Sequence, residues 1–447
     1  MTYKVSQAKA YCEEENMLTW VALLIFVVTY ALIISEKVNR AVIALLGAVI
    51  MVFAGILDVH KVFQQYIEWE TITLLIGMMI LVGITNQTGV FQFVAIRAAK
   101  AVKGDPMRIL LVLSVLTAIG SALLDNVTTV LLVVPVTIAI TRILEINPVP
   151  FLMSEIIASN IGGTATLIGD PPNIMIGSAN PHLTFNAFLL NLAPITILIF
   201  GVALFMLYMM YRKQLRPNPA LQTKLLELNE RDYIKDKLLM KKSLLILSLT
   251  IIGFMLHAII HVDAAVIAIT GAILLMLFGL KEHDVEKAFD SIEWVTIFFF
   301  AGLFSLVGGL QEVGLIKSLA MKALDVTEGD ITTASLLILW GSGLASATID
   351  NIPFVATMIP LIKDMAVGLG LAVDSEPINI LWWSLALGAC LGGNGTIIGA
   401  SANVIVAGLA AKEGKGFSYM EFLKVGAPIT LVSLAIAHVY IYLRYLL

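Results

Sequence analysis

Between two apolar runs, Phe151–Ile157 and Ile174–Gly177, lies a stretch that no uninterrupted membrane helix tolerates: Asn160–Asn173, NIGGTATLIGDPPN. Three glycines, two consecutive prolines, two threonines, an aspartate and two asparagines fall within these fourteen residues. Pro171 and Pro172 lack amide donors, and Gly162, Gly163 and Gly169 loosen the backbone, so a helix is expected to break here at membrane depth. The freed carbonyls and amides then point into a cavity. The same punctuation recurs as Leu391–Asn403, LGGNGTIIGASAN. There Gly392, Gly393, Thr396, Ile398, Gly399 and Asn403 match Gly162, Gly163, Thr166, Ile168, Gly169 and Asn173 at an offset of 230. Paired broken helices in two halves of a membrane protein point to a substrate site.

The surrounding chain fits that reading. With 59% hydrophobic and 13% charged residues over 447 positions and a mean hydropathy of +0.93, it is too apolar for a soluble protein. An all-α polytopic membrane protein is expected, with the lipid bilayer as its first partner. The net charge of -4 carries little information, and nucleic-acid binding has no support. Cys12 and Cys390, with no C-x-x-C, indicate neither a disulfide framework nor a thiolate metal site. Residues 1–17 read as an N-terminal tail containing Glu13, Glu14 and Glu15, with no cleavage site after it. No phosphate-binding G-x-x-x-x-G-K-[ST] is present, so pumping must draw on ion gradients. The enzymatic rival, an intramembrane aspartyl protease, lacks the Gly-x-Gly-Asp form around Leu167–Asp170 and leaves the repeat unexplained; no enzyme is expected.

In chain order, crossings are expected at Leu18–Ser35, Arg40–Leu57 and Thr71–Val90. Asp58–Glu70 is polar enough for the surface, and Phe91–Lys103 fits an interfacial helix. Ile109–Gly120 and Val127–Ile140 are short for spans and enclose a polar tip, Ser121–Asn126, which reads as a re-entrant hairpin over residues 109–140. The broken helix (151–178) and a last crossing (Phe188–Tyr211) complete a first repeat, 18–211. Residues 212–242, with nine Lys or Arg, form a linker, and 243–447 replay the first half with a hairpin at 332–366 and a broken helix at 378–411. Ala41–Ala48 resembles Ala265–Ala272, and Ser121, Asp125, Asn126 and Pro135 meet Ser346, Asp350, Asn351 and Pro360 at an offset of 225. Five spans per half make the repeats inverted. Basic residues near span ends, including Lys37, Arg40, Arg97, Lys100, Arg142 and Lys412, share a side with the linker, which the positive-inside rule puts in the cytoplasm of a plasma-membrane protein.

Asp125 and Asp350 sit in apolar surroundings, where an unpaired carboxylate costs at least about 2.5–3.5 kcal/mol. Either they cap half-helices, or, with Asn126, Thr128, Thr129 and Asn351, they hold a sodium ion or a proton. Asp170, a further candidate for contacting a substrate, has no twin, its counterpart being Ala400. Thr164, Thr166, Asn173, Asn394, Thr396 and Asn403 are candidates for contacting a substrate, or else hydrogen-bond one span to another. Glu155, matched by Leu385, is either a proton carrier or a partner for a polar neighbour. The six histidines show no metal-ligand spacing.

The segments DNVTTVLLVVPVT (Asp125–Thr137), SNIGGTATLIGDPPN (Ser159–Asn173), IDNIPFVATMIPL (Ile349–Leu361) and GGNGTIIGASAN (Gly392–Asn403) resemble the ion transporter superfamily. The nearest branch holds arsenite-efflux permeases, sodium/proton antiporters and the citrate-transporter-like domain, and most closely the melanosomal P protein group. This resemblance implies an elevator-type transporter, usually a homodimer, with a scaffold and a mobile domain, and leaves an energising ATPase partner open. Carried over, the family's ion sites fall on Asp125, Asn126, Thr128 and Gly163 and on Asp350, Asn351 and Gly393. The function implied is ion-coupled secondary transport of a small inorganic ion or solute, without a cofactor beyond Na+ or H+ as coupling ion. Arsenite or antimonite efflux is the leading form and sodium/proton antiport the alternative, followed by an anion channel or a carboxylate transporter. Dicarboxylate members carry Ser-Asn-Thr at the tips where this chain has Asp125 and Asp350, which speaks against a carboxylate.

Overall fold

The computed structural model describes the backbone of residues 2–35 and 37–447 and the side chains of residues 17–35 and 37–447; the side chains of Cys12 and of Glu13–Glu15 lie outside the described residues. Helix and turn account for all of the regular structure among them. The first half comprises α1 (Thr2–Ile34), α2 (Arg40–Phe53), α3 (Trp69–Gln87), α4 (Val90–Ala101), α5 (Pro106–Leu123), α6 (Asn126–Ile143), α7 (Val149–Gly163), α8 (Pro171–Ala179) and α9 (Phe185–Tyr211). The second half follows in the same order. It comprises α10 (Lys237–Ile260), α11 (Ala264–Gly279), α12 (Trp294–Glu312), α13 (Leu315–Thr327), α14 (Ile331–Thr348), α15 (Asn351–Gly368), α16 (Glu376–Gly392), α17 (Ser401–Lys412) and α18 (Tyr419–Ile441). Among the described residues, nine helices are long and apolar enough to cross a membrane.

Local chemistry sets these boundaries. The α5 and α6 arms run eighteen residues each, about 27 Å at 1.5 Å per residue, and so are longer than the 109–140 hairpin read from hydropathy. Asp105 accepts from Arg108 N (2.9 Å) ahead of Pro106 at the first helical position, which starts α5 three residues early. Asp330 caps α14 and Thr184 caps α9 in the same way, and Ser418 and Glu421 form a capping box on α18. The expected tail continues α1 as helical backbone from Thr2. Asp236 caps α10, so the polar linker ends at that residue rather than at 242. The linker itself is tied down: Lys100 on α4 donates to Leu228 O and Glu230 Oε2 (2.7 Å), and Lys235 N donates to Thr88 O.

Two groups of helices emerge from the contacts. In the first, α2 packs on α12 and α11 on α3, so each half contributes to both crossings, with α1 and α10 outside them. The crossings close on glycine. A Cβ on Gly77 would stand 2.6 Å from the carbonyl carbon of Ala268, and one on its counterpart Gly302 2.7 Å from that of Ala44. Lipid tails give helices no hydrophobic reason to associate, so close backbone approach at small residues supplies the attraction. In the second group, the hairpins α5–α6 and α14–α15 pack on α7 and α16, and the halves interlock again: α6 meets α17, and α15 meets α8.

Candidate functional site

Both broken helices stop where a hairpin tip reaches them. The α7 helix has fifteen residues, about 22 Å, and α8 nine, about 13 Å, so the break between them lies well inside a bilayer about 30 Å thick. Ser121 Oγ donates to Ser159 O (2.6 Å) and Thr166 Oγ1 to Ala122 O (2.6 Å), pinning the first tip to the break. Asn173 Nδ2 bridges Thr164 O and Thr166 O at 3.1 and 2.9 Å. The second half repeats the pattern: Ser346 Oγ to Ala389 O, Thr396 Oγ1 to Ala347 O, both 2.6 Å, and Asn403 Nδ2 to Gly393 O and Thr396 O at 2.7 and 2.9 Å, the Gly393 bond matching a longer one from Asn173 Nδ2 to Gly163 O (3.4 Å). Asn173 and Asn403 therefore spend their donors on carbonyls freed by the breaks, and Thr166 and Thr396 on carbonyls at the ends of the first hairpin arms. Gly163 and Gly169 face each other across the first break, where a Cβ on Gly163 would come within 3.0 Å of Gly169 C; Gly393, with its nearest neighbour at 3.2 Å, is less constrained.

An amide network joins the halves. Asn126 Nδ2 donates to Asn160 Oδ1 (3.1 Å), and Asn160 Nδ2 donates to Asn394 Oδ1 (3.0 Å) and Asn403 Oδ1 (2.9 Å). From the other side Asn351 Nδ2 reaches Asp170 Oδ1 (3.4 Å), and Cys390 Sγ donates to Asn173 Oδ1 (3.5 Å). Thr164 Oγ1 returns to Asn160 O. Asp170, fully buried, lies within electrostatic reach of both Asp350 and Asp125.

The two tips differ. Asp125 caps α6 by accepting from Thr128 N (2.8 Å), and none of the ion pairs among the described residues includes it. Asp350 caps α15 through Ile352 N (3.1 Å) but also accepts from Arg40 Nη1 (3.0 Å) and Ser401 Oγ (2.7 Å). Asn126 Oδ1, Thr129 Oγ1, Asp170 Oδ2 and Asn394 Nδ2 are buried with no hydrogen-bond partner among the described residues. Two of these four atoms, Asn126 Oδ1 and Asp170 Oδ2, are acceptors only, while the Thr129 hydroxyl can donate or accept and the Asn394 amide nitrogen donates. Glu155 stands apart from both tips. Its Oε1 accepts from Thr137 on α6 and its Oε2 has no such partner.

Sequence reasoning misses Asn160, Cys390, Ser401 and Arg40. The first two occupy equivalent positions of the repeated motif, but asparagine and cysteine do not look alike. Arg40 reads only as a charge near a span end.

The comparisons with known proteins agree with this architecture. The profile of the citrate transporter family, CitMHS, matches residues 30–388. A 46 kDa membrane protein of Mycobacterium leprae (strain TN) is 43% identical over 430 residues, covering 95% of this chain and 99% of the relative. The P protein of Homo sapiens is 35% identical over 92% of this chain and 58% of its own length. Among solved structures, the YdaH transporter of Alcanivorax borkumensis superposes with a TM-score of 0.60 at 13% identity, covering 96% of this chain and 97% of that one, which shows the shared fold.

Proposed function

The chain belongs to the citrate transporter (CitMHS) family of the ion transporter superfamily and is a non-enzymatic membrane transporter, and on that premise we propose that it is a cation-coupled secondary transporter whose first hairpin tip carries the cation. The inequality of the tips is the observation that carries this reading. Asp350 is neutralised by Arg40, whereas Asp125 has no cationic partner among the described residues and shares the centre with the unmatched oxygens of Asn126 and Asp170. Buried acceptors without donors favour a bound hard cation or a proton, either of which supplies what the protein withholds. Sodium and protons compete there, which is the chemistry of a sodium/proton antiporter.

In this reading the crossed group α1–α3 and α10–α12 is a static scaffold that also carries a homodimer interface, and the hairpins with their broken helices move as an elevator. The halves act as inverted repeats, with the linker cytoplasmic. A second reading, efflux of arsenite or antimonite, is favoured by one observation: the buried Cys390 thiol lies beside Asn173 and Asp170, in the polar centre where a thiophilic solute would pass. Proteoliposomes containing a pH-sensitive dye separate the two. Sodium-driven proton movement that disappears in Asp125→Asn supports antiport. Absence of any such movement, together with arsenite uptake abolished by Cys390→Ser, replaces it with the second reading.

A further inference from the structure

The second tip is held by side chains that the repeat does not supply at the first. Arg40 Nη1 donates to Asp350 Oδ2 (3.0 Å) and to Ser401 Oγ (2.6 Å), while Ser401 Oγ donates to the same carboxylate oxygen (2.7 Å), closing a triangle. The guanidinium lies over the Phe299 ring at 4.8 Å, and Tyr30 OH donates to Pro353 O (2.8 Å) in the first turn of α15. Arg40, Phe299 and Tyr30 belong to the crossed group; Asp350, Pro353 and Ser401 belong to the hairpin group. At the first tip the equivalent positions of Arg40 and Ser401 are Ala264 and Pro171, so nothing comparable can form.

We propose that Arg40 is a tethered counter-cation: from the crossed group it fills the charge position that a free cation takes at the first tip, and it latches this conformation until Asp350 exchanges the guanidinium for a mobile cation. The proposal rests on the reading of the tips as coupling sites. The paired side chains are mostly shielded, at 28% exposure for Arg40 and 13% for Asp350, so pulling them apart without replacement leaves two poorly solvated charges. Sliding of the hairpin group is then disfavoured unless a cation takes the arginine's place, and an empty carrier is held still. Access exists, because Asp350, Arg40 and Ser401 line a cavity of about 410 Å3 together with Tyr30, Lys37 and Val404. The other charged groups facing the pair are Lys37 in the cavity wall, Asp170 at the first break and Glu293 ahead of α12, which lies within reach of Arg40 and Asp125.

The test reads conformation directly, without transport. In purified, reconstituted Cys12→Ser protein, Val404→Cys in the cavity wall is modified by a membrane-impermeant maleimide only while the cavity is open. With Arg40 present, the expected rate is high in Na+-free buffer and falls as Na+ displaces the guanidinium from Asp350. In Arg40→Gln it is already at least about threefold lower in Na+-free buffer and no longer falls with Na+, and Asp350→Asn, which breaks the same latch, behaves alike. Arg40→Lys keeps most of the parent rate in Na+-free buffer. A parent rate indifferent to Na+, or an Arg40→Gln rate in Na+-free buffer equal to the parent's, overturns the proposal. If Arg40→Gln fails to fold, the charge-reversed pair Arg40→Asp/Asp350→Arg decides: recovery of the parent rate supports the latch, and a folded pair without recovery overturns it. Loss of coupling at Asp125 is measured separately by dye, so failure of the functional reading and failure of the latch give different results.

Discussion

Asn160 and Cys390 stand 230 residues apart at equivalent points of the two halves, and each donates across the molecule to the asparagine that closes the other half's break. Asn160 Nδ2 reaches Asn403 Oδ1 at 2.9 Å, and Cys390 Sγ reaches Asn173 Oδ1 at 3.5 Å. The amide is the stronger donor, and it also donates to Asn394 and accepts from Asn126.

The two positions are therefore expected to respond unequally to truncation. Asn160→Ala strips partners from three buried amides at about 1–3 kcal/mol each, a loss of about 3–5 kcal/mol after relaxation. Cys390→Ala forfeits one long, weak bond and a small volume, about 1 kcal/mol. Thermal unfolding in detergent, followed by size-exclusion chromatography after heating, measures both. Equal melting shifts would mean that the network adds no stability beyond side-chain volume.

Gly77 and Gly302 make a sharper case, because the atoms they would strike are backbone. Alanine at either position puts a methyl group within 2.7 Å of the facing main chain, at Ala268 or Ala44, and only separation of the helices relieves that. Each substitution should cost about 3 kcal/mol or more and cut the yield of folded protein. Gly201 on α9 has nothing within 4 Å of the position a methyl group would take and is the matched control, with Gly201→Ala expected to be neutral or slightly stabilising. Normal expression of both Gly77→Ala and Gly302→Ala would show that the crossings can shift.

Much of this architecture is legible in the residues, for a physical reason. Breaks in membrane helices need glycine, proline and polar side chains together, and such clusters stand out against apolar sequence, as Asn160–Asn173, Leu391–Asn403 and the Asp-Asn tips do. Of the two readings of Asp125, the cap is seen directly, in the hydrogen bond that its carboxylate accepts from Thr128 N. What stays hidden depends on contacts between residues far apart in the chain. Arg40 meets Asp350 across 310 positions, with no counterpart in the repeat to flag it. The glycine-lined crossings of α2 with α12 and α3 with α11 look in the sequence like any other apolar span.

Outside the membrane, the linker carries a pH-sensitive hold. Lys100 donates to Glu230 and keeps that carboxylate below the ordinary glutamate range. A depressed folded-state pKa gives stability that is present above the unfolded value of about 4.3 and lost as pH falls through the folded one. Amide exchange of residues 219–233, corrected for intrinsic rate, should thus accelerate as pH drops below about 4.3. Glu230→Gln should exchange faster at neutral pH and show no such acceleration. A wild-type linker whose protection is flat across that range would mean that the exposed pair contributes nothing measurable, as many surface pairs do.

Asp170 offers the test that best separates function from architecture. It is fully buried, its Oδ2 has no hydrogen-bond partner among the described residues, and the hydrogen bond that its Oδ1 accepts from Asn351 is long, at 3.4 Å. The other half manages the same turn with Ala400, so the fold does not require a carboxyl group there. A residue that strains the structure without shaping it is most simply retained for what it binds. Asp170→Asn preserves size and can still accept from Asn351, and it removes an uncompensated acid from the interior. The variant should therefore be more stable than wild type, by about 1–3 kcal/mol, while cation-coupled transport falls at least about tenfold. The mirror substitution, Ala400→Asp, should destabilise by a similar amount and restore nothing. Melting temperature and dye-monitored transport on the same preparations decide the matter: a less stable Asp170→Asn that transports normally would make Asp170 a structural residue.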